Sequence, residues 1–129
     1  MAGAIQGADW KGKACARVSA AAMCLFISGC AAPPPTVTPQ LAAFAPRGIA
    51  LEALHRGRAV YTGACVACHG TDSPDAFEPE RWRGIVSDMA ERSHLKRQQE
   101  EDLVAYLLTA RESVLHEKAH KASSKTAGF

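Results

Sequence analysis

Apolar residues recur at helical spacing in three segments between residues 49 and 111. Neighbouring positions in each set are one, three or four residues apart, so each set falls on one face of an α-helix. The positions are Leu54, Gly57, Tyr61 and Ala64 in segment 49–64; Trp82, Ile85, Val86 and Met89 after Pro79; and Leu103, Tyr106, Leu107 and Ala110 near the end. No segment shows the apolar–polar alternation of a half-buried strand. The pattern predicts an all-α domain with three or more short helices.

Two segments of different composition flank this helical region. Residues 30–46 contain five prolines, which favour extended backbone, so we expect a semi-rigid linker there. Residues 112–129 hold few large apolar side chains and are expected to form a disordered polar tail. The domain itself is predicted over residues 47–111, a length that rarely supplies enough core without a disulfide, a metal or a cofactor.

The first 29 residues are organised like a secretory signal peptide. Basic residues at 11, 13 and 17 precede an apolar run from Val18 to Ile27, and small residues follow it. The run is about half of the ~20 residues that a transmembrane helix needs. We therefore expect export of the chain and removal of this segment.

The end of that segment, Ile27-Ser28-Gly29-Cys30, resembles the lipoprotein box of bacterial lipoproteins. The resemblance implies that Cys30 is lipidated, becomes the mature N-terminus and anchors the protein in the cell envelope, facing the periplasm. The alanine that follows the cysteine implies the outer membrane rather than the inner one. The alternative is a plain signal peptide in which Cys30 has no role.

The charge balance does not favour a nucleic-acid-binding function. The chain of 129 residues has 15 Lys and Arg against 13 Asp and Glu, a net charge of +2. The predicted signal carries three of the basic residues and one acidic residue, so the mature chain is neutral. No basic surplus is left to attract nucleic acid, and we expect no nucleic-acid partner.

The remaining cysteines stand in a motif with a histidine. Cys15 and Cys24 lie in the predicted signal, which leaves Cys65-Val-Ala-Cys68-His69. C-x-x-C-H is the attachment signature of c-type haem: each thiol forms one thioether, and the histidine ligates the iron. A redox dithiol would be expected in a βαβ context, and a structural zinc site needs further ligands. One covalently bound haem c is the cofactor we predict.

A longer pattern around this motif resembles the monohaem class I c-type cytochromes over about residues 50–111. It consists of Gly57-x-x-x-Tyr61-x-x-x-Cys65-x-x-Cys68-His69-Gly70, followed by Leu103-Val104-x-Tyr106-Leu107. The resemblance implies a cytochrome c-like fold, in which an N-terminal helix crosses a C-terminal helix at a small residue between aromatic side chains. Gly57, Tyr61 and Tyr106 would form that crossing, a role that simple helix packing would also explain.

The second axial position of the iron decides the function, and Met89 is the candidate that the resemblance implies. Met89 is the one methionine outside the predicted signal, and its distance from the last helix is similar to that of the family's methionine ligand. The alternatives are that Met89 only fills an apolar face, or that His94 is the ligand. Arg81, Trp82 and Arg83 could contact the haem propionates, or could be two solvated arginines and a core tryptophan.

These residues predict a membrane-anchored electron carrier rather than an enzyme. We expect single electrons to pass between periplasmic or membrane redox partner proteins, with the lipid on Cys30 as the membrane contact. Acidic residues from Asp72 to Glu80 could dock a basic partner. The alternatives are a haem subunit of a larger oxidoreductase, or a gas-binding or peroxidase-like protein with an open sixth position.

Overall fold

A computed structural model describes residues 33–68 and 70–126, and these residues form an all-α structure. No β-strand occurs within these two ranges, which confirms the predicted fold class at this level. The elements are α1 (Pro39–Ala42), α2 (Leu51–Val60), a π-helical turn (Tyr61–Cys65), α3 (Pro79–Arg92) and α4 (Arg97–Thr126).

Helices α2 and α4 cross at Gly57, as the sequence predicts. A Cβ atom added to Gly57 would lie 2.0 Å from the carbonyl oxygen of Asp102 and 2.7 Å from the Cβ of Tyr106. Only a residue without a side chain allows the two backbones to approach this closely. The Tyr61 and Tyr106 rings lie beside the crossing with centroids 6.0 Å apart.

A buried carboxylate reinforces the same crossing. Asp102 on α4 is 3% exposed and accepts two hydrogen bonds from the Arg56 guanidinium on α2, at 2.6 Å from Nε and 3.2 Å from Nη2. Gln98 donates a third bond to this carboxylate at 3.1 Å. A buried carboxylate with three donors is satisfied, so it fixes the rotation of α4 against α2.

Helix α3 begins and ends where local chemistry dictates. Pro79 occupies the first turn, where its missing N–H and fixed φ suit a helix start. The helix ends at Arg92, and His94, two residues later, has φ 52°. The Leu95 N–H donates to the Ala90 carbonyl at 2.9 Å. This is a Schellman ending, in which one left-handed residue closes the last turn.

The segment before α2 is part of the domain rather than a free linker. Thr38 caps α1 through its side-chain oxygen, and Leu41 lies in the core at 4% exposure. The Pro35 carbonyl accepts hydrogen bonds from Tyr106 Oη at 2.7 Å and from Arg58 Nε at 3.0 Å. The expected linker over residues 30–46 was therefore wrong from Pro35 onward, because contacts with distant helices hold the segment.

The expected disorder beyond residue 111 was wrong for residues up to Thr126, which continue α4. Lys118 forms an ion pair with Asp75, and Lys121 pairs with Glu117 one turn earlier. The ring of His116 lies 5.3 Å from that of Phe44. These contacts hold a helix end that lacks an apolar stripe.

None of the helices in the described ranges is long and apolar enough to cross a membrane.

Candidate cofactor site

A cavity of about 330 Å³ opens between the π-helical turn, the following loop, α3 and α4. Its volume falls within the ~300–1,000 Å³ typical of small-molecule and cofactor sites. Large apolar side chains from the two helices form much of its wall: Trp82, Ile85, Val86, Leu103 and Leu107. All five belong to the apolar faces that the sequence pattern predicts, so these faces line the cavity in addition to forming the core.

Both thiols of the C-x-x-C-H motif line this cavity. Cys65 is half-buried and Cys68 is exposed, and both are free thiols. Burial raises the pKa of the Cys65 thiol, which keeps it protonated at neutral pH. Cys65 ends the π-helical turn, a distortion that is frequent at functional sites. His69 and Cys30, the predicted iron ligand and lipidation site, lie outside the described residues.

Met89 lies on the same cavity, whereas His94 does not. Met89 is half-buried on α3, one turn before the helix ends at Arg92, and belongs to the wall with the two thiols. His94 is exposed and borders a separate surface pocket with Glu91 and Arg97. The fold thus brings one of the two candidate sixth ligands to the cysteines.

Two aromatic side chains fix the loop at the cavity edge. The Trp82 indole donates a hydrogen bond to the Pro74 carbonyl at 2.7 Å, and the Tyr61 hydroxyl donates to the Asp72 carbonyl. Phe77 stacks edge-on against Trp82 with centroids 5.1 Å apart. Burial raises the pKa of Tyr61, so its hydroxyl stays a donor at neutral pH. Trp82 is therefore both a cavity wall and a loop anchor.

The arginine at the cavity is Arg92, which the sequence argument missed. Arg81 lies over the Phe77 ring, 5.4 Å from its centroid, and Arg83 lines a different surface groove. Arg92 lies three residues after Met89 and lines the cavity. Extending the apolar face of α3 by one more helical step would have identified it.

The predicted acidic patch is partly neutralised by the chain itself. Lys118 and the Ser73 hydroxyl donate to Asp75, and these hydrogen bonds lower the pKa of that carboxyl. Arg111, 8% exposed, donates to Glu78 at 2.6 Å and to the Phe77 carbonyl at 3.0 Å. Two of the four acidic residues thus serve to hold the loop against α4.

The residues described around the cavity fit a covalently attached haem. Two thiols share one wall, large apolar side chains form the remainder, and a methionine stands among them. Within residues 33–68 and 70–126, no cluster of three or more His, Cys, Asp and Glu side chains could hold a metal ion directly.

No protein-family profile, curated protein or solved structure matches the chain.

Proposed function

We propose that this chain is a lipid-anchored, monohaem cytochrome c that carries single electrons between redox partners. The observation that supports this most strongly is the apolar cavity whose wall contains Cys65, Cys68 and Met89 together. The close crossing of α2 and α4 at Gly57, beside two tyrosines, supports the cytochrome c-like fold. The anchor is the lipid on Cys30, added after export.

In this proposal each residue of the site has a defined task. Cys65 and Cys68 would hold the haem through thioether bonds, and His69 and Met89 would ligate its iron. The bound haem supplies a reversible one-electron couple. The chain holds the ligands in place and excludes water with Trp82 and its apolar neighbours, because a dry, six-coordinate site favours electron transfer over ligand binding.

A thioether ligand at the sixth position raises the reduction potential and blocks the iron to small molecules. Met89 lies on the cavity wall, which favours an electron carrier over the peroxidase-like and gas-binding alternatives. Those alternatives need an open sixth position, so ligand access to the iron distinguishes them from the proposed function.

Visible spectra of the oxidised and reduced protein test this assignment. The chain is expressed in a bacterial host that attaches haem to exported cytochromes. We expect the red charge-transfer band of methionine-ligated ferric haem, and slow, incomplete binding of carbon monoxide to the reduced form. Fast and complete binding of carbon monoxide to the unmodified protein would instead support the open-site alternative.

The matched variants are Met89→Ala and Ile85→Ala, which shorten two side chains of α3 on the same cavity wall. Only the first removes a sulfur ligand, so only Met89→Ala is expected to abolish the band and speed carbon monoxide binding. His94→Ala is expected to leave both properties unchanged. Survival of the band in Met89→Ala would contradict the ligand assignment.

A further inference from the structure

The N-terminal segment is bound to the helical domain from Pro35 onward, only five positions after the predicted lipidation site Cys30. Pro35 is held by two hydrogen bonds to its carbonyl, from the buried Tyr106 on α4 and from Arg58 on α2. Leu41 then enters the core. From Pro35 onward the chain therefore belongs to the domain. Only the residues between Cys30 and Pro35 can act as a flexible tether between the lipid and the domain.

The tether that is left is shorter than the radius of the domain. Four residues separate Cys30 from Pro35, and the five Cα–Cα steps between them span at most about 18 Å when fully extended. Crossing one headgroup layer takes roughly 5–8 Å of that length, which leaves about 10 Å beyond the lipid surface. A domain of this size has a radius of gyration of about 12 Å and so a radius of roughly 16 Å. Pro35 therefore stays within about 10 Å of the lipid surface, which is less than the radius of the domain.

The surface around Pro35 is the part of the domain that this tether brings to the lipid. It is a groove of about 520 Å³ between the N-terminal segment and residues 113–118 of α4. We define the anchor face by Pro33, Thr36 and Phe44 on one side and Ser113 and Lys118 on the other. Glu117 lines the groove beside Lys118, so the face carries both signs of charge together with short polar side chains and one ring. Such a lining suits headgroups rather than hydrocarbon.

We propose that the anchor face rests on the headgroup layer of the membrane that holds the lipid on Cys30. This inference rests on the lipid anchor of the proposed function. Ser73 and Pro74 line the groove of the anchor face, while Thr71 and Asp72 line the cofactor cavity. The cavity then lies a single loop away from the membrane surface.

Selective acetylation of lysines tests the contact in the full-length, lipidated protein. The protein is reconstituted in vesicles of phosphatidylethanolamine and phosphatidylglycerol and treated with a membrane-impermeant acetylating reagent. Lys118 reports on the anchor face, with 62% of its side chain exposed. Lys96, an exposed residue just before α4, is the internal control, about 30 Å away along the helix. The unlipidated variant Cys30→Ser gives the rates in solution.

We expect Lys118 to react several-fold more slowly in vesicles than in Cys30→Ser, with little change at Lys96. A variant with 20 Gly and Ser residues inserted between Ala32 and Pro33 gains a mean reach of about 25 Å. In that variant Lys118 is expected to recover its rate in solution.

Three results would overturn the proposal: failure of the full-length chain to bind vesicles, equal rates at Lys118 with and without the lipid, or protection that survives the insertion. Haem content is measured separately on the same samples. A protein without haem whose Lys118 is protected would refute the cytochrome assignment and keep the membrane contact.

Discussion

The crossing of α2 and α4 at Gly57 predicts a large effect from a single added methyl group. In Gly57→Ala the new Cβ would meet the backbone carbonyl oxygen of Asp102 at 2.0 Å and its carbonyl carbon at 2.6 Å. Contacts of Cβ atoms below 3.0 Å essentially never occur, so the backbones must separate by about 1 Å. A backbone carbonyl cannot rotate away as the end of a side chain could.

The separation disturbs packing on both sides of the crossing. Overpacking of this kind costs roughly 1–3 kcal/mol, and the clash with backbone favours the upper end. Alanine recovers about 1 kcal/mol through its higher helix propensity. We therefore expect Gly57→Ala to lower the free energy of unfolding by about 2 kcal/mol, or the melting temperature by about 8–16 °C.

Gly84→Ala is the matched control, because Gly84 is also helical but a Cβ there meets nothing within 4 Å. It is expected to raise the free energy of unfolding by about 0.5–1 kcal/mol through helix propensity alone. Urea unfolding of the holoprotein, followed by far-UV circular dichroism, measures both variants. If Gly57→Ala proves as stable as the unmodified protein, or gains as much as Gly84→Ala, the close crossing is refuted.

Three further predictions concern the loop, the end of α3 and a buried tyrosine. Arg111→Ala leaves the Phe77 carbonyl without its donor and should lower the free energy of unfolding, measured in urea, by about 2 kcal/mol. The control Arg97→Ala removes an exposed ion pair and should leave the free energy of unfolding unchanged. Equal losses in the two variants would refute the role of the buried arginine. His94 has a left-handed backbone, which glycine adopts at lower cost, so His94→Gly should raise the melting temperature. His94→Ala should not raise it. A gain in both variants would contradict the capping role. Burial raises the pKa of Tyr106 to about 12 from 10.0, so the folded state holds this proton more tightly than the unfolded state. The free energy of unfolding should fall as pH rises from about 10 to 12, and Tyr106→Phe should flatten that fall in pH-dependent urea titrations; an unchanged slope would refute the shift.

The sequence predicted those features that one helix face or one motif carries by itself. The face of Trp82, Val86 and Met89 repeats at helical spacing because each residue packs inward, and the structure bears it out. The crossing at Gly57 was predicted from the resemblance to c-type cytochromes, and the structure places the α4 backbone against this residue. The apolar faces thus predicted the three main helices, and the structure shows that residues of these faces also line the cavity.

Features that depend on contacts between distant residues were not predictable from such patterns. The end of α4 has no apolar stripe, and Lys118 stabilises it only because the fold brings Asp75 within reach. The sequence predicts a linker at Pro35, yet its carbonyl accepts hydrogen bonds from Arg58 on α2 and Tyr106 on α4, which lie 23 and 71 positions later in the chain. A proline-rich composition describes the free chain and says nothing about the partners of its carbonyl groups.

The most direct test of the cytochrome assignment is the intact mass and visible spectrum of the exported protein after denaturation and washing with acidified acetone. Washing removes haem that is merely bound, whereas thioether bonds to Cys65 and Cys68 survive it. We expect a mass increase equal to one haem and a retained chromophore, both lost in the Cys65→Ala, Cys68→Ala double variant. Both should be kept in Val66→Ala, which alters an exposed residue between the cysteines. A protein that shows the mass of the polypeptide alone and no chromophore would contradict the account.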